Sequence, residues 1–249
     1  MINYISLTMK SLIYSVVLVL NFFGSTVNAQ TNDSVKSTVN LGVDLMSRYV
    51  WRGLDYGASP SVQPYIEYAH KSGFTIGYWG AMSTRGNYSE VDLYAKYTVK
   101  GFSFIATDYF FPTDGIPTSP TLEFLNYKKG TTGHLIEGSL QYKGGENFPI
   151  SILVGTTLHG ADLDAAGGRR YSTYAELGYA FQCCGNKFDT FIGMTPAQGL
   201  YGSSFGVVNM GFTTYKAIKI TDKFDLPLKV SLIANPQTSN IYLVAGFTF

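Results

Sequence analysis

Three histidines (His70, His134, His159) and the adjacent pair Cys183-Cys184 are the side chains of this 249-residue chain best equipped for acid–base, nucleophilic or metal chemistry. Their spacing supports none of these. A structural zinc site needs four Cys or His ligands, and no further Cys or nearby His accompanies the two cysteines. The pair reads as a turn element, either as free thiols or as a strained vicinal disulfide. His159 has Thr156 and Thr157 beside it, but no serine at an obvious nucleophile spacing. Triads are recognised by geometry rather than spacing, so a membrane-embedded lipid-modifying enzyme stays open as the competing class. No catalytic residue, metal ligand or cofactor is assigned, and an enzyme is not expected.

The charged residues say more. Lys and Arg number 18 and Asp and Glu 17, 14% of the chain, for a formal net charge of +1. With no basic excess to neutralise phosphates, nucleic acid is excluded as a partner. Ten charges fall on the polar parity of segments whose other parity is apolar: Asp44, Arg48, Glu67, Glu90, Asp92, Lys96, Glu137, Glu176, Asp189 and Lys229. On the lipid face of a barrel at mid-bilayer, Arg or Lys costs about 2–4 kcal/mol and Asp or Glu less. The pattern therefore assigns these ten to the inside of a closed wall. Asp44, Arg48, Glu67, Asp92, Lys96, Glu137, Glu176 and Lys229 are the candidate pore-lining or binding residues.

Seven acids against three bases make that interior acidic, which favours cations, unless Lys128, Lys129, Arg169 and Arg170 fold inward from the loops. Arg48 reads as a constriction or binding cation paired with Glu67 or Asp92, or as half of a stiffening ion pair. Asp108 breaks the rule by sharing parity with Phe102 and Phe104, and a bulge would re-aim it. Lys216 and Lys219 lie at opposite parities.

The elements that position these residues are strands. Val39, Leu41, Val43 and Leu45 alternate with Asn40, Gly42, Asp44 and Met46, and the same period of two recurs along the chain. It predicts twelve strands: 38–50, 62–71, 73–84, 88–100, 101–110, 131–143, 148–158, 171–182, 187–196, 204–219, 226–235 and 240–249. Most are long enough for a tilted bilayer-crossing strand, which needs about 9–11 residues. Tight connections (70–73, 100–101, 143–147, 183–186, 221–223) alternate with mostly longer ones (51–61, 111–130, 159–170, 197–203); 85–87 and 236–239 are short exceptions. That asymmetry is typical of outer-membrane barrels, and an even strand number puts both ends on the short-turn, periplasmic side. Aromatic residues make up 15% of the chain. Tyr49, Tyr109, Phe110, Phe111, Tyr171 and Phe181 gather at strand ends, as interfacial girdles do. A soluble sandwich or lipocalin-like barrel would carry more charge on its outer face.

The apolar run Leu12 to Phe23 is too short to span a membrane as a helix. With Lys10 before it and Val27-Asn28-Ala29 after it, it reads as a secretory signal, giving residues 1–29 as signal and 30–249 as the barrel. The amphipathic last strand ends in Phe249, a signal of the kind read by the bacterial barrel-assembly machinery. Loop 111–130 carries Pro112, Pro117 and Pro120, and reads as a stiffened lid, a constriction or an external contact.

The stretch Ser47-Arg48-Tyr49-Val50-Trp51-Arg52-Gly53-Leu54 resembles the opening motif of the TorF-like porin family, bacterial outer-membrane proteins of largely unknown function. Glu67-Tyr68, Gly73-Phe74-Thr75-Ile76-Gly77-Tyr78-Trp79-Gly80, Glu90-Val91-Asp92-Leu93-Tyr94-Ala95, Asp108-Tyr109-Phe110-Phe111-Pro112 and Glu123-Phe124 continue the likeness over about 40–125. The resemblance implies an outer-membrane location and a pore, and brings no established site residues. The expectation is a single antiparallel transmembrane β-barrel of about 12 strands in a Gram-negative outer membrane, in contact with its lipids. It would pass small solutes or ions passively; the alternative is a non-conducting structural, adhesion or receptor barrel.

Overall fold

A computed structural model describes residues 36–112 and 123–249. The signal segment 1–29 and the loop residues 113–122, with Pro117 and Pro120, lie outside the described residues. Among the described residues the alternating sequence forms fourteen strands: β1 (Thr38–Met46), β2 (Tyr49–Trp51), β3 (Leu54–Tyr56), β4 (Ser61–Ala69), β5 (Phe74–Ser83), β6 (Ser89–Val99), β7 (Phe102–Phe110), β8 (His134–Lys143), β9 (Ile150–Gly160), β10 (Thr173–Cys183), β11 (Asn186–Thr195), β12 (Gly206–Thr221), β13 (Phe224–Asn235) and β14 (Asn240–Thr248).

Twelve of them, β1 and β4 to β14, close into one antiparallel barrel. β1 runs beside β4 from Thr38↔Ala69 to Met46↔Ser61, and the ring shuts where β1 meets β14, Asp44 opposite Thr248. Amide–carbonyl bonds between Val43 and Phe249 at 3.0 and 3.1 Å extend that seam. The seam is short, with three register pairs, so most of β1 and β14 is held by β4 and β13 instead. The twelve barrel strands match the predicted segments, with ends moved by a few residues.

The parity rule holds around the ring. Leu41, Ile241 and Leu243 point outward and are 74%, 68% and 68% exposed, while inward Gln63, Thr75, Glu90, Asp92, Glu137 and Ser231 are buried. An outer surface this apolar would cost about 25 cal/mol per Å² in water.

Asp108 faces outward after all. No bulge interrupts β7 against β8, and Asp108 stands opposite Ile136. Its charge is covered rather than re-aimed: His134 Nδ1 lies 2.7 Å from Asp108 Oδ1, and the Tyr127 hydroxyl donates to Oδ2 at 2.7 Å. Lys216 also has outward parity. It sits where the β12–β13 hairpin runs past the last β11 pairing, Phe188↔Thr214, while Lys219 pairs with Asp222 in the same extension.

Candidate functional site

Just after β1 the chain turns inside the barrel. β2 and β3 form a separate hairpin, with Tyr49↔Tyr56 and Trp51↔Leu54 in register. Arg52 and Gly53 form its two-residue turn at φ of 50° and 79°. Two successive positive φ values make a type I′ turn, which matches the twist of the strands it joins. A Cβ on Gly53 would lie 1.9 Å from the Val208 carbonyl oxygen, so only glycine seats the tip. Asn235 Nδ2 donates to the Gly53 carbonyl at 3.1 Å.

The hairpin meets the wall on several sides. Val50 packs against buried Met46, Ile233 and Val244. Tyr49 contacts Trp79 and Tyr88, with ring centroids 5.2 and 5.9 Å apart. Trp51 contacts Tyr109 and Tyr201 at 5.3 and 5.6 Å. The Arg52 guanidinium reaches furthest. It donates to Glu137 Oε2 at 2.5 Å and Oε1 at 2.8 Å, with the two side chains 8% and 1% exposed. It also lies over the rings of Trp51, Tyr174 and Tyr201, 4.4–5.1 Å from their centroids.

Glu137 is fully engaged. Ser139 Oγ donates to Oε1 at 2.6 Å and the Tyr201 hydroxyl to Oε2 at 2.9 Å. Gly155 makes room for it, since a Cβ there would be 2.7 Å from Oε1. Burial alone would disfavour the Arg52 charge, but the Glu137 hydrogen bond raises its pKa above the ordinary guanidinium value. A bidentate Arg–carboxylate pair with its remaining lone pairs satisfied is the form in which a buried ion pair is most tolerable.

The eight predicted residues line the interior at different levels and do not form one cluster. Arg48 pairs with Asp55 inside the hairpin, not with Glu67 or Asp92. Glu67 instead takes Lys96 Nζ at 3.3 Å and the Tyr94 hydroxyl at 2.9 Å. Asp92 and Glu90 are both buried on the inward face of β6, two residues apart, and the Tyr88 hydroxyl donates to Glu90 Oε2 at 2.7 Å. Asp44 accepts from Thr248 Oγ1 at 2.7 Å, and Glu176 from Asn209 Nδ2 at 3.2 Å.

Below the hairpin a cavity of about 280 Å³ is lined by Arg48, Gln63, Glu176, Asn209 and Lys229 among others. A second, of about 470 Å³, lies toward the short turns and shares Glu176 and Phe191. Within the described residues, Asp44, Glu90, Asp92, Glu176 and Lys229 have no oppositely charged group within 4 Å.

Three expectations are corrected. The segment 51–61 is not simply an outer loop, because its first half is the inward hairpin. Tyr49 and Tyr109 do not belong to a girdle, since both point inward and are buried. The cation that reaches across the interior to the wall is Arg52, bound to Glu137, whereas Arg48 pairs with Asp55. The signal for the hairpin was present in Arg52-Gly53, a turn pair flanked by Tyr-Val-Trp and Leu-Asp-Tyr. Cys183 and Cys184 are free, exposed thiols at the β10–β11 turn.

No curated protein and no solved structure matches the chain. The family model described as a bacterial protein of unknown function (Gcw_chp) matches residues 29–137, a span holding β1 to β7, the hairpin and Glu137.

Proposed function

We propose that the protein is an outer-membrane β-barrel that forms a narrow passage for small solutes or ions, held shut at one level by the β2–β3 hairpin. The observation that carries this reading is a polar, cavity-bearing interior inside an apolar outer wall. A barrel with a purely structural role has no need of stacked cavities lined by Glu176, Lys229, Asp189 and Lys187. The hairpin supplies the constriction, and Asp44 and Glu176, interior acids without a basic partner among the described residues, favour cations. By the asymmetry of outer-membrane barrels, the short turns face the periplasm and the longer connections the outside. The likeness to TorF-like porins points the same way.

The Arg52–Glu137 pair favours a second reading, a permanently closed barrel. Planar-bilayer recording separates the two, with the native protein compared with a form in which 49–56 is replaced by a short Gly-Ser link. Rare, small, cation-preferring steps from the native protein and frequent, larger ones from the variant are expected. Silence from both would leave the non-conducting barrel.

A further inference from the structure

The loop residues following the undescribed segment lie against the outside of the wall. Phe110 and His134 face each other on the outward parity of β7 and β8. Over them pack Phe124, edge-on to His134 at 5.1 Å, and Tyr127, stacked on His134 at 4.0 Å. His134 is wholly buried there, with Nε2 2.6 Å from the Phe124 carbonyl oxygen. A second loop is tied to the first. The Tyr127 carbonyl lies 3.0 Å from His159 Nε2, and Arg169 Nη2 lies 3.0 Å from His159 Nδ1. With Arg169 donating to Nδ1, the ring's proton is on Nε2, and a chain of donors links the two loops.

This junction carries four exposed cations: Lys128 and Lys129 from the first loop, Arg169 and Arg170 from the second. None has a carboxylate within 4 Å among the described residues. The acids of the second loop are turned to their own chain. Asp162 accepts from the Ser172 amide and hydroxyl, both at 2.8 Å, and Asp164 Oδ1 from the amides of Ala166 and Gly168. Glu123 in the first loop and Asp164 in the second are the exposed acids of these described loop residues. In the same loop as Lys128 and Lys129, Leu125 is 75% exposed, and Leu158, next to His159 on β9, is 48% exposed. Apolar side chains on the wall with basic groups at its rim suit the boundary between acyl chains and anionic headgroups.

We propose that this outer rim of β7–β9 binds the phosphate-bearing headgroup of a membrane glycolipid, through Lys128, Lys129, Arg169 and Arg170, with its acyl chains against the adjoining wall. The inference rests on the membrane reading, and commits to lipid rather than free phosphate.

The test is native mass spectrometry of the full chain in mild detergent with diphosphoryl lipid A, its dephosphorylated form, or inorganic phosphate as competitor. The native protein should retain the diphosphorylated lipid. The quadruple variant K128Q/K129Q/R169Q/R170Q should lose at least about ten-fold of it, and K128Q/K129Q, which leaves the Arg169–His159 contact, an intermediate amount. R169K/R170K should keep the lipid. Equal retention by the native and quadruple forms, equal retention of the dephosphorylated lipid, or displacement by phosphate at matched concentration would each overturn the proposal. Insertion into vesicles, read from heat-modifiable gel mobility, is followed in parallel. Loss of lipid selectivity with insertion intact counts against this surface alone; failure of the native protein to insert counts against the membrane reading and takes the surface with it.

Discussion

Arg52 and Glu137 are 85 residues apart in the chain and meet inside the barrel as a two-point ion pair. One comes from the tip of a three-residue-stranded hairpin and the other from the wall strand β8. The pair fixes where the hairpin sits, because the tip reaches the wall opposite the strand from which the hairpin departs.

Removing one partner should release the hairpin. Glu137→Gln leaves the buried guanidinium without a counter-charge, a change that costs about 3–5 kcal/mol. The expected outcomes are a lower urea midpoint for the folded barrel and more frequent open steps in planar bilayers. Replacing both members with apolar residues, Arg52→Met with Glu137→Leu, should recover most of the stability, since a packed apolar pair is often no worse than a buried ion pair.

Gly53→Ala tests the seat of the turn without touching any charge. The added methyl group must displace the Val208 carbonyl, and alanine is strained at φ 79°. Destabilisation should exceed the roughly 0.4–1 kcal/mol seen when Gly→Ala changes act through chain entropy alone, and with the opposite sign. Conductance steps resembling those of Glu137→Gln would show that both changes act by unseating one element.

Wall parity gives a paired prediction. Leu243→Arg puts a cation on the outward face and should cost about 2–4 kcal/mol of folding free energy in lipid vesicles, less if the site lies near an interface. Lys229→Gln, on the inner face beside the cavity, should leave folding almost unchanged and alter ion preference instead. Equal folding costs for the two would contradict an apolar exterior enclosing a polar interior.

His134→Ala should loosen the outer clasp. It strips Asp108 Oδ1 of its partner and removes the ring on which Tyr127 stacks. Trypsin should then cut after Lys128 or Lys129 several-fold faster than in the native protein, while channel steps stay the same, because the clasp lies outside the wall.

Much of this architecture follows from period-two alternation alone. A strand with unlike faces has one way to satisfy both in a closed ring, so Asp44, Glu67, Asp92, Lys96, Glu137, Glu176 and Lys229 could be assigned to the interior from parity, and the twelve barrel strands from the lengths of the alternating runs. Asp108 could be identified as an exception, but not explained. Its cover comes from Tyr127 and His134, and the direction in which a loop folds is not written in strand periodicity.

The hairpin was hidden for a related reason. Tyr49-Val50-Trp51 resumes the alternation of β1 after a single polar residue, Ser47, so although Arg52-Gly53 marks a turn, local pattern does not say whether the strand before it stays in the wall or leaves it. Partner choice was equally out of reach. Arg48 and Arg52 are four residues apart, and only the three-dimensional turn at Arg52-Gly53 directs one to Asp55 and carries the other across the lumen to Glu137. Sequence by itself determined which face each side chain takes, because facing is a local property of extended backbone. The tertiary structure decided which residues meet across the enclosed space, because that depends on ring closure and on where a loop finds room to fold.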